Sequence, residues 1–276
     1  MPENVYNSGT PTVSMDGKKI AATGTNPATN LLEIASYDVI TKQWSYLGTL
    51  GASSDGVASS AWGMTPDGSL IVGLGMAPNN GAHGIYWTKE KGLVDIGTAI
   101  AGKYSRIDDV SNDGRIFVGY QDNENGDRKA TYWEDGKQTI IAQANGVNIG
   151  AFTSVLGDGK WMLGSAETTA TKWSKSDSLV KITHPNAGQF FRGASTAANK
   201  DGSVIIDYYR GFPGPAAMGE EFIWTEETGR LELNQYVKDV LKYDNLGVKF
   251  ALPLAISENG KQIVGIGRTD TQCVHF

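Results

Sequence analysis

The chain is short of the residues that most soluble chemistry needs. Its 276 residues include one cysteine, Cys273, so no internal disulfide can form. Hydrophobic neighbours Val274 and Phe276 suit that thiol to a small apolar filler on a strand. The 3 histidines, His83, His184 and His275, are scattered, with no His-x-His or His-Glu-x-x-His spacing that could hold zinc. Basic charge is also scarce: the net charge of -6 argues against nucleic acid or an anionic membrane as partner. No apolar run is long enough for a membrane span. The opening MPENVYNSGTPTV lacks the basic and apolar regions of a signal peptide, so the chain either stays inside the cell or has lost its signal. No pattern calls for a cofactor, and no catalytic signature is complete.

What the chain has in quantity is turns and aromatics, with 35 glycines, 7 tryptophans and 11 tyrosines. Asp16-Gly17, Asp67-Gly68, Asp113-Gly114, Asp158-Gly159, Asp201-Gly202 and Asn259-Gly260 recur at intervals of 43 to 58 residues. Each joins two hydrophobic runs, the signature of a β-hairpin with a two-residue type I′ turn. Repetition at that period predicts an all-β fold of four-stranded antiparallel blades, a six-bladed β-propeller forming one domain over residues 1–276.

One unit shows the plan. Residues 58–65 enter the Asp67-Gly68 turn and Ser69–Gly75 leave it; Gly84–Thr88 and Leu93–Gly97 supply two further strands. The second strands are apolar on both faces, as sheets stacked between neighbours require. A glycine follows six residues after the Asp or Asn of several turns, as Gly73, Gly119, Gly164 and Gly265, where the chain must approach a neighbour closely. Ala22 and Asp207 replace it in the first and fifth units. Trp87, Trp133, Trp173 and Trp224 fall at matching places on the third strands and are expected to be buried between blades.

The pattern V-S-x-D-G-x-x-I-V-G, then Y-W-T, then G-L-V-D-I-G resembles the HAF-repeat family of extracellular bacterial proteins. It is carried by Val110–Gly114, Ile256–Gly260 and Trp87–Gly97, and the likeness extends over essentially the whole chain. The resemblance implies a propeller in a secreted, periplasmic or cell-surface setting and carries over no site residues. The first unit departs from it: Tyr37–Trp44 is similar to a kelch blade without the double glycine.

Two segments fall outside the repeat. Glu3–Asn7 precedes the first blade and is the right length for a strand that completes the last one, whose third strand ends the chain. Leu233, Tyr236, Val237, Val240 and Leu241 form an amphipathic stripe, predicting a helix near 234–243 that either packs a blade junction or covers a site.

The candidate binding residues are Trp62, Arg106, Phe191, Arg192, Tyr208 and Arg210, which the repeat plan sets in or beside loops at one end of the blades. Aromatics and arginines are the types enriched where partners bind, and equally the types that seal loops to a scaffold. The expectation is a monomeric, non-enzymatic module that holds a carbohydrate, peptide or protein. The alternative is a polysaccharide lyase or glycoside hydrolase with acids and arginines at the channel mouth. Asp108-Asp109 and Glu220-Glu221 are adjacent pairs, expected to point to opposite faces and sit at solvated strand ends rather than form a facing catalytic pair. Asp122–Asp127 has its glycine at the fifth place of a would-be calcium loop, and Trp133 stands at the twelfth, so a tight turn is expected there.

Overall fold

The computed structural model describes residues 9–78, 81–214, 218–243 and 247–269 and the backbone of 273–275. All six expected turns are present, but not as two-residue I′ turns. Only the glycine lies in the left-handed region, with φ between 69 and 72° at Gly17, Gly68 and Gly114 and between 70 and 74° at Gly159, Gly202 and Gly260. The preceding aspartates keep negative φ, because their carboxylates hold a different loop together. In the first turn the Gly17 N–H donates to the Ser14 carbonyl, and the Ser14 N–H donates to the Lys19 carbonyl, each at 2.9 Å. The Asp16 carboxylate accepts the Lys18 N–H at 3.0 Å and the Ser14 hydroxyl at 2.8 Å. The other five turns repeat the backbone bonds, and each side chain of Asp67, Asp113, Asp158, Asp201 and Asn259 accepts the N–H two residues ahead. The sequence signal was right about the hairpin and wrong about the turn, which is longer and closed by side chains.

Contacts divide the chain into two compact units, Met1–Ile141 and Ala142–Phe276. Three four-stranded antiparallel sheets make up the first among the described residues. Sheet 1 pairs Thr12–Val13, Lys19–Asn26, Leu31–Asp38 and Gln43–Tyr46. Sheet 2 pairs Ser59–Met64, Leu70–Met76, Ala82–Thr88 and Gly92–Gly97. Sheet 3 pairs Ser105–Val110, Ile116–Asp122, Arg128–Glu134 and Lys137–Ile141. Strands follow one another in chain order within each sheet.

The second unit repeats the plan with variations. Sheet 4 pairs Val147–Val155, Met162–Ala166, Thr169–Ser174 and Ser178–Ile182, with the short strand Gln143–Ala144 added beside the first. Sheet 5 pairs Phe191–Ala198, Val204–Gly211, Glu220–Thr225 and Gly229–Glu232. Sheet 6 pairs Lys249–Ile256, Ile263–Arg268 and Cys273–His275, the last at its outer edge among the described residues. The expected closing strand, Glu3–Asn7, lies outside the described residues. Helix α1 spans Leu233–Asp239, shorter than expected. It ends because Lys242 turns left-handed at φ 60° while the Leu241 N–H folds back to the Tyr236 carbonyl. Val240 and Leu241, read as part of the buried stripe, are exposed.

The cores lie between consecutive sheets of a unit. Ile71 joins Ala21 and Ile34 of sheet 1, whereas its neighbour Val72 joins Ile107 and Phe117 of sheet 3. Alternation along one strand therefore feeds two cores, which is why these strands are apolar on both faces. In the second unit Leu163 and Ala170 of sheet 4 meet Ile205, Tyr209 and Phe222 of sheet 5. The four tryptophans do occupy matching register positions, opposite Ile71, Phe117, Met162 and Ile205. Trp133 and Trp173 are buried; Trp87 and Trp224 are only half-buried, a correction to the uniform burial expected.

A polar bond also ties sheet to sheet. The Ser59 hydroxyl accepts the Ile34 N–H at 2.9 Å and donates to the Gly48 carbonyl at 2.7 Å. Ser105 does the same for Gly84 and Gly97 at 2.9 and 2.7 Å. Between sheets 4 and 5 the Tyr209 phenol takes this role, accepting the Ala170 N–H at 3.1 Å and donating to the Ile182 carbonyl at 2.7 Å.

Candidate functional site

Five of the first strands carry an irregularity at one place. Ala61 and Gly63 pair with consecutive residues Gly73 and Val72, leaving Trp62 without a partner in the ladder. By the same reading Asp108, Thr153, Thr196 and Leu254 are extra residues of sheets 3, 4, 5 and 6, and sheets 4 and 6 each have a second one further from the turn, at Gly150 and Ala251. Each of the first four, like Trp62, stands five residues before the Asp or Asn of the turn. An extra residue bends its strand and re-aims its own side chain. The recurrent glycine is the counterpart on the second strand: a Cβ at Gly73 would lie 1.9 Å from the Ser60 carbonyl oxygen, and one at Gly119 2.0 Å from that of Arg106. The close neighbour inferred from sequence is thus the adjacent strand of the same sheet.

The two units use these bulges differently. Thr153 donates its hydroxyl to the Ser195 carbonyl at 2.8 Å, and Thr196 donates to that of Ile206 at 3.1 Å, so both serve the scaffold. Trp62 and Asp108 instead meet around Arg106. The Arg106 guanidinium lies 3.5 Å from the Trp62 ring centroid and 5.0 Å from that of Tyr120. Its Nη2 donates to Asp108 Oδ1 at 2.6 Å. Arg128, opposite Asp122 in the ladder, places its guanidinium 4.3 Å from the other arm of this array, the Tyr120 ring. Trp62, Arg106, Tyr120 and Arg128 thus alternate ring and cation, each contact contributing about 0.5–2 kcal/mol depending on exposure. Trp62 Nε1 donates to Ser60 Oγ at 2.9 Å, which fixes the indole.

Asp108 is only 6% exposed and Asp122 9%, contrary to the solvated strand end expected for the first. Burial raises the Asp108 carboxyl above the ordinary carboxylate range, against the pull of Arg106 and Arg128. Burial likewise raises Asp122, opposed mainly by Arg128, and the Tyr120 phenol, opposed by both arginines. Asp108 Oδ2, Asp122 Oδ1 and Arg106 Nε are buried and make no hydrogen bond among the described residues. The environment works against ionising both acids, whereas guanidinium cannot give up its proton. The permanent charges of the array are therefore positive, and Arg128, being exposed, offers one of them to solvent.

Of the six residues expected from sequence, Trp62 and Arg106 come together in this array. The other four belong to sheet 5 and divide. Arg192 and Arg210 are directly opposite in the ladder, and Tyr208 shares their face by alternation. Arg192 Nε donates to the Gln189 carbonyl at 2.9 Å, and Arg210 Nη1 to that of Gly214 at 2.8 Å, so both fasten loops. Phe191 projects from the other face, 4.9 Å from the His184 ring and 5.7 Å from that of Tyr209. Phe191 and Arg210 therefore do not share a surface of their sheet.

The remaining acids of sheet 5 form no reactive pair. Asp207 and Glu221 are each 0% exposed, with no hydrogen bond to either carboxyl oxygen among the described residues. They sit on opposite faces, because Asp207 pairs with Phe222 and Glu221 with Tyr208. Burial drives Asp207 well above its usual range and pushes Glu221 up to about 9, so the solvated end expected for Glu221 is overturned. Glu220 lies 3.5 Å from His184, whose imidazole burial keeps toward the neutral form. Residues 122–127 close as the tight turn expected, with Gly126 donating to Asn123 at 3.0 Å. No group of three or more His, Cys, Asp or Glu suited to a metal occurs among the described residues. Nor is any helix among them long and apolar enough to cross a membrane, which says nothing of a β-barrel.

Tyr120 was not singled out from sequence, since it continues an apolar second strand, and Asp122 was read only as the start of a tight turn. The signal that could have found the array is the five-residue spacing from Trp62 and Asp108 to their turns. No family model and no curated protein matches the chain. Solved structures do, at identities that speak to fold alone. A putative TolB from Agrobacterium tumefaciens is similar with 13% identity and a TM-score of 0.57, over 82% of this chain and 79% of that one. The β-propeller domain of the Trilobed protease from Pyrococcus furiosus matches 100% of this chain and 81% of its own, with 12% identity and a TM-score of 0.56. An oligogalacturonate lyase from Vibrio parahaemolyticus matches over 99% and 77%, with 11% identity and a TM-score of 0.56. The chain is an all-β protein of antiparallel sheets, with one short helix among the described residues and a fold similar to β-propellers.

Proposed function

We propose that this chain is a binding module, built as a six-bladed β-propeller, whose ligand meets the array of Trp62, Arg106, Tyr120 and Arg128. The observation that carries this reading is the use of two equivalent bulge positions, in sheets 2 and 3, for side chains that serve no backbone group. Six copies of one turn support the blade count, and the match to a propeller domain over the whole chain supports the fold. A secreted, periplasmic or cell-surface setting rests on the HAF-repeat resemblance.

The array suits an anionic sugar or an acidic peptide. An exposed guanidinium grips a carboxylate through paired hydrogen bonds, and an indole edge offers apolar surface to a sugar face. Binding is favoured over catalysis because Asp108, the best-placed acid, is closed in by burial and by Arg106.

The test is titration of the purified chain with acidic oligosaccharides, oligogalacturonates among them, and with acidic peptides. Arg128→Ala should weaken the best ligand about tenfold with the melting temperature unchanged, since Arg128 is exposed. Trp62→Ala should weaken it as well. Unaltered affinity in Arg128→Ala would remove the array from the binding site. Release of new sugar ends from the same oligosaccharides would favour the lyase or hydrolase alternative.

A further inference from the structure

Helix α1 does not simply fill the space at its foot. Between it, the third strand of sheet 5 and sheet 6 lies a cavity of about 400 Å³. Its walls are Ile223, Leu233, Val237, Phe250 and Ile263, with the Tyr236 ring beside them. Among the described residues that line it, Lys261 is the only charged one, and it is exposed.

The helix is fixed above this space by polar anchors. Asn234 accepts the Phe250 N–H at 2.8 Å and donates to the Phe250 carbonyl at 3.2 Å. Glu232 caps the helix, accepting the Gln235 N–H at 2.9 Å. The Asn234 bonds tie the first turn of α1 to the first strand of sheet 6. Only Leu233 of the helix is buried. The size falls within the roughly 300–1,000 Å³ typical of small-molecule pockets, and the composition, mostly apolar with one charged residue, is also typical.

We propose that the space beneath α1 is a binding site for a short single-chain carboxylic acid. Its hydrocarbon tail lies against Ile223, Val237 and Phe250, and its carboxylate meets the Lys261 ammonium. A neutral apolar molecule would leave that cation unused, and a strongly charged one would find nothing else to pair with. This site is separate from the array on sheets 2 and 3 and does not depend on its function.

The experiment is calorimetric titration of the full chain with hexanoate, octanoate and decanoate, and with 1-octanol as the uncharged probe. Affinity should rise about fourfold per methylene until the cavity is full, the increment expected for burying one CH₂. Octanoate should bind more tightly than 1-octanol, and Lys261→Glu should erase that preference while leaving 1-octanol binding unchanged. Ile223→Trp should fill the space and abolish binding of all three acids. If that variant fails to fold, Val237→Trp fills the same space from the helix. Absence of saturable binding, a flat chain-length series, or binding that survives the cavity-filling variant would overturn the proposal. So would an acid preference that persists in Lys261→Glu.

Discussion

Gly193 is empty so that Tyr209 can be full-sized. The two residues face each other across the first and second strands of sheet 5, and a Cβ on Gly193 would lie 2.5 Å from the Tyr209 Cζ. Gly193 stands eight residues before its turn aspartate, the place that Ser59 and Ser105 hold in sheets 2 and 3. The hydroxyl missing from the first strand is returned by the phenol of the second, at the same point between neighbouring sheets. Tyr209→Phe should cost about 1–3 kcal/mol, the penalty for leaving a buried N–H and carbonyl unpaired. Gly193→Ala should cost at least as much by driving out the ring. Urea denaturation would measure both, and a neutral Tyr209→Phe would show that the relay is dispensable.

Stability should fall as the solution is made alkaline. Unfolded Glu221 has an ordinary carboxyl pKa and folded Glu221 one of about 9, so between the two the native state holds the extra proton. Proton release on unfolding makes the slope of stability against pH negative in that window. Buried Asp207 and Asp108 act in the same direction. On the acid side the sign reverses: hydrogen bonds from Thr65 and Ser111 hold the Asp67 and Asp113 carboxyls below the usual range. Their contribution is present above the unfolded carboxylate pKa and is lost as pH falls through the folded one. The urea midpoint should therefore be higher near about pH 5 than near about pH 8.5, and Glu221→Gln should narrow the difference. An unchanged difference in that variant would mean that Glu221 ionises in place.

The matched tryptophans should not be energetically equal. Trp133→Ala removes a buried ring and should cost about 3–5 kcal/mol, whereas the half-buried Trp87 should cost less. Equal losses in chemical denaturation would mean that exposure does not set the difference.

Removal of residues 1–7 tests the proposed ring. If Glu3–Asn7 supplies the last strand, the truncated chain should melt earlier and self-associate through the outer edge of Cys273–His275. Light scattering that finds a monomer with the parent's melting temperature would place the closure elsewhere.

Much of the scaffold was legible because it is local. An Asp-Gly pair between two apolar runs states a hairpin within ten residues, and two-sided apolar strands state stacked sheets. The turn geometry was misread because the decisive partners, Ser14 and its counterparts, lie two residues upstream of the aspartate. The candidate array was half legible: Trp62 and Arg106 were found as types, Asp108 was named but read as a solvated strand end, and Tyr120 was hidden. Alternation assigns a residue to a face only if no residue is extra, and one unpaired position at Asp108 breaks that rule. The helix was overextended because Val240 and Leu241 continue the stripe, whereas the backbone reverses at Lys242.

The bulge gives this fold a separation between grammar and vocabulary. A residue outside the ladder has no cross-strand partner to match, so its identity is free of the register that keeps each sheet in order. The chain writes Trp, Asp, Thr, Thr and Leu at that place in five successive sheets and keeps the bulge and the turn five residues later. Such a position can be rewritten one sheet at a time. A designer seeking a new specificity on this scaffold would begin with positions 62, 108, 153, 196 and 254, and leave the facing residues alone.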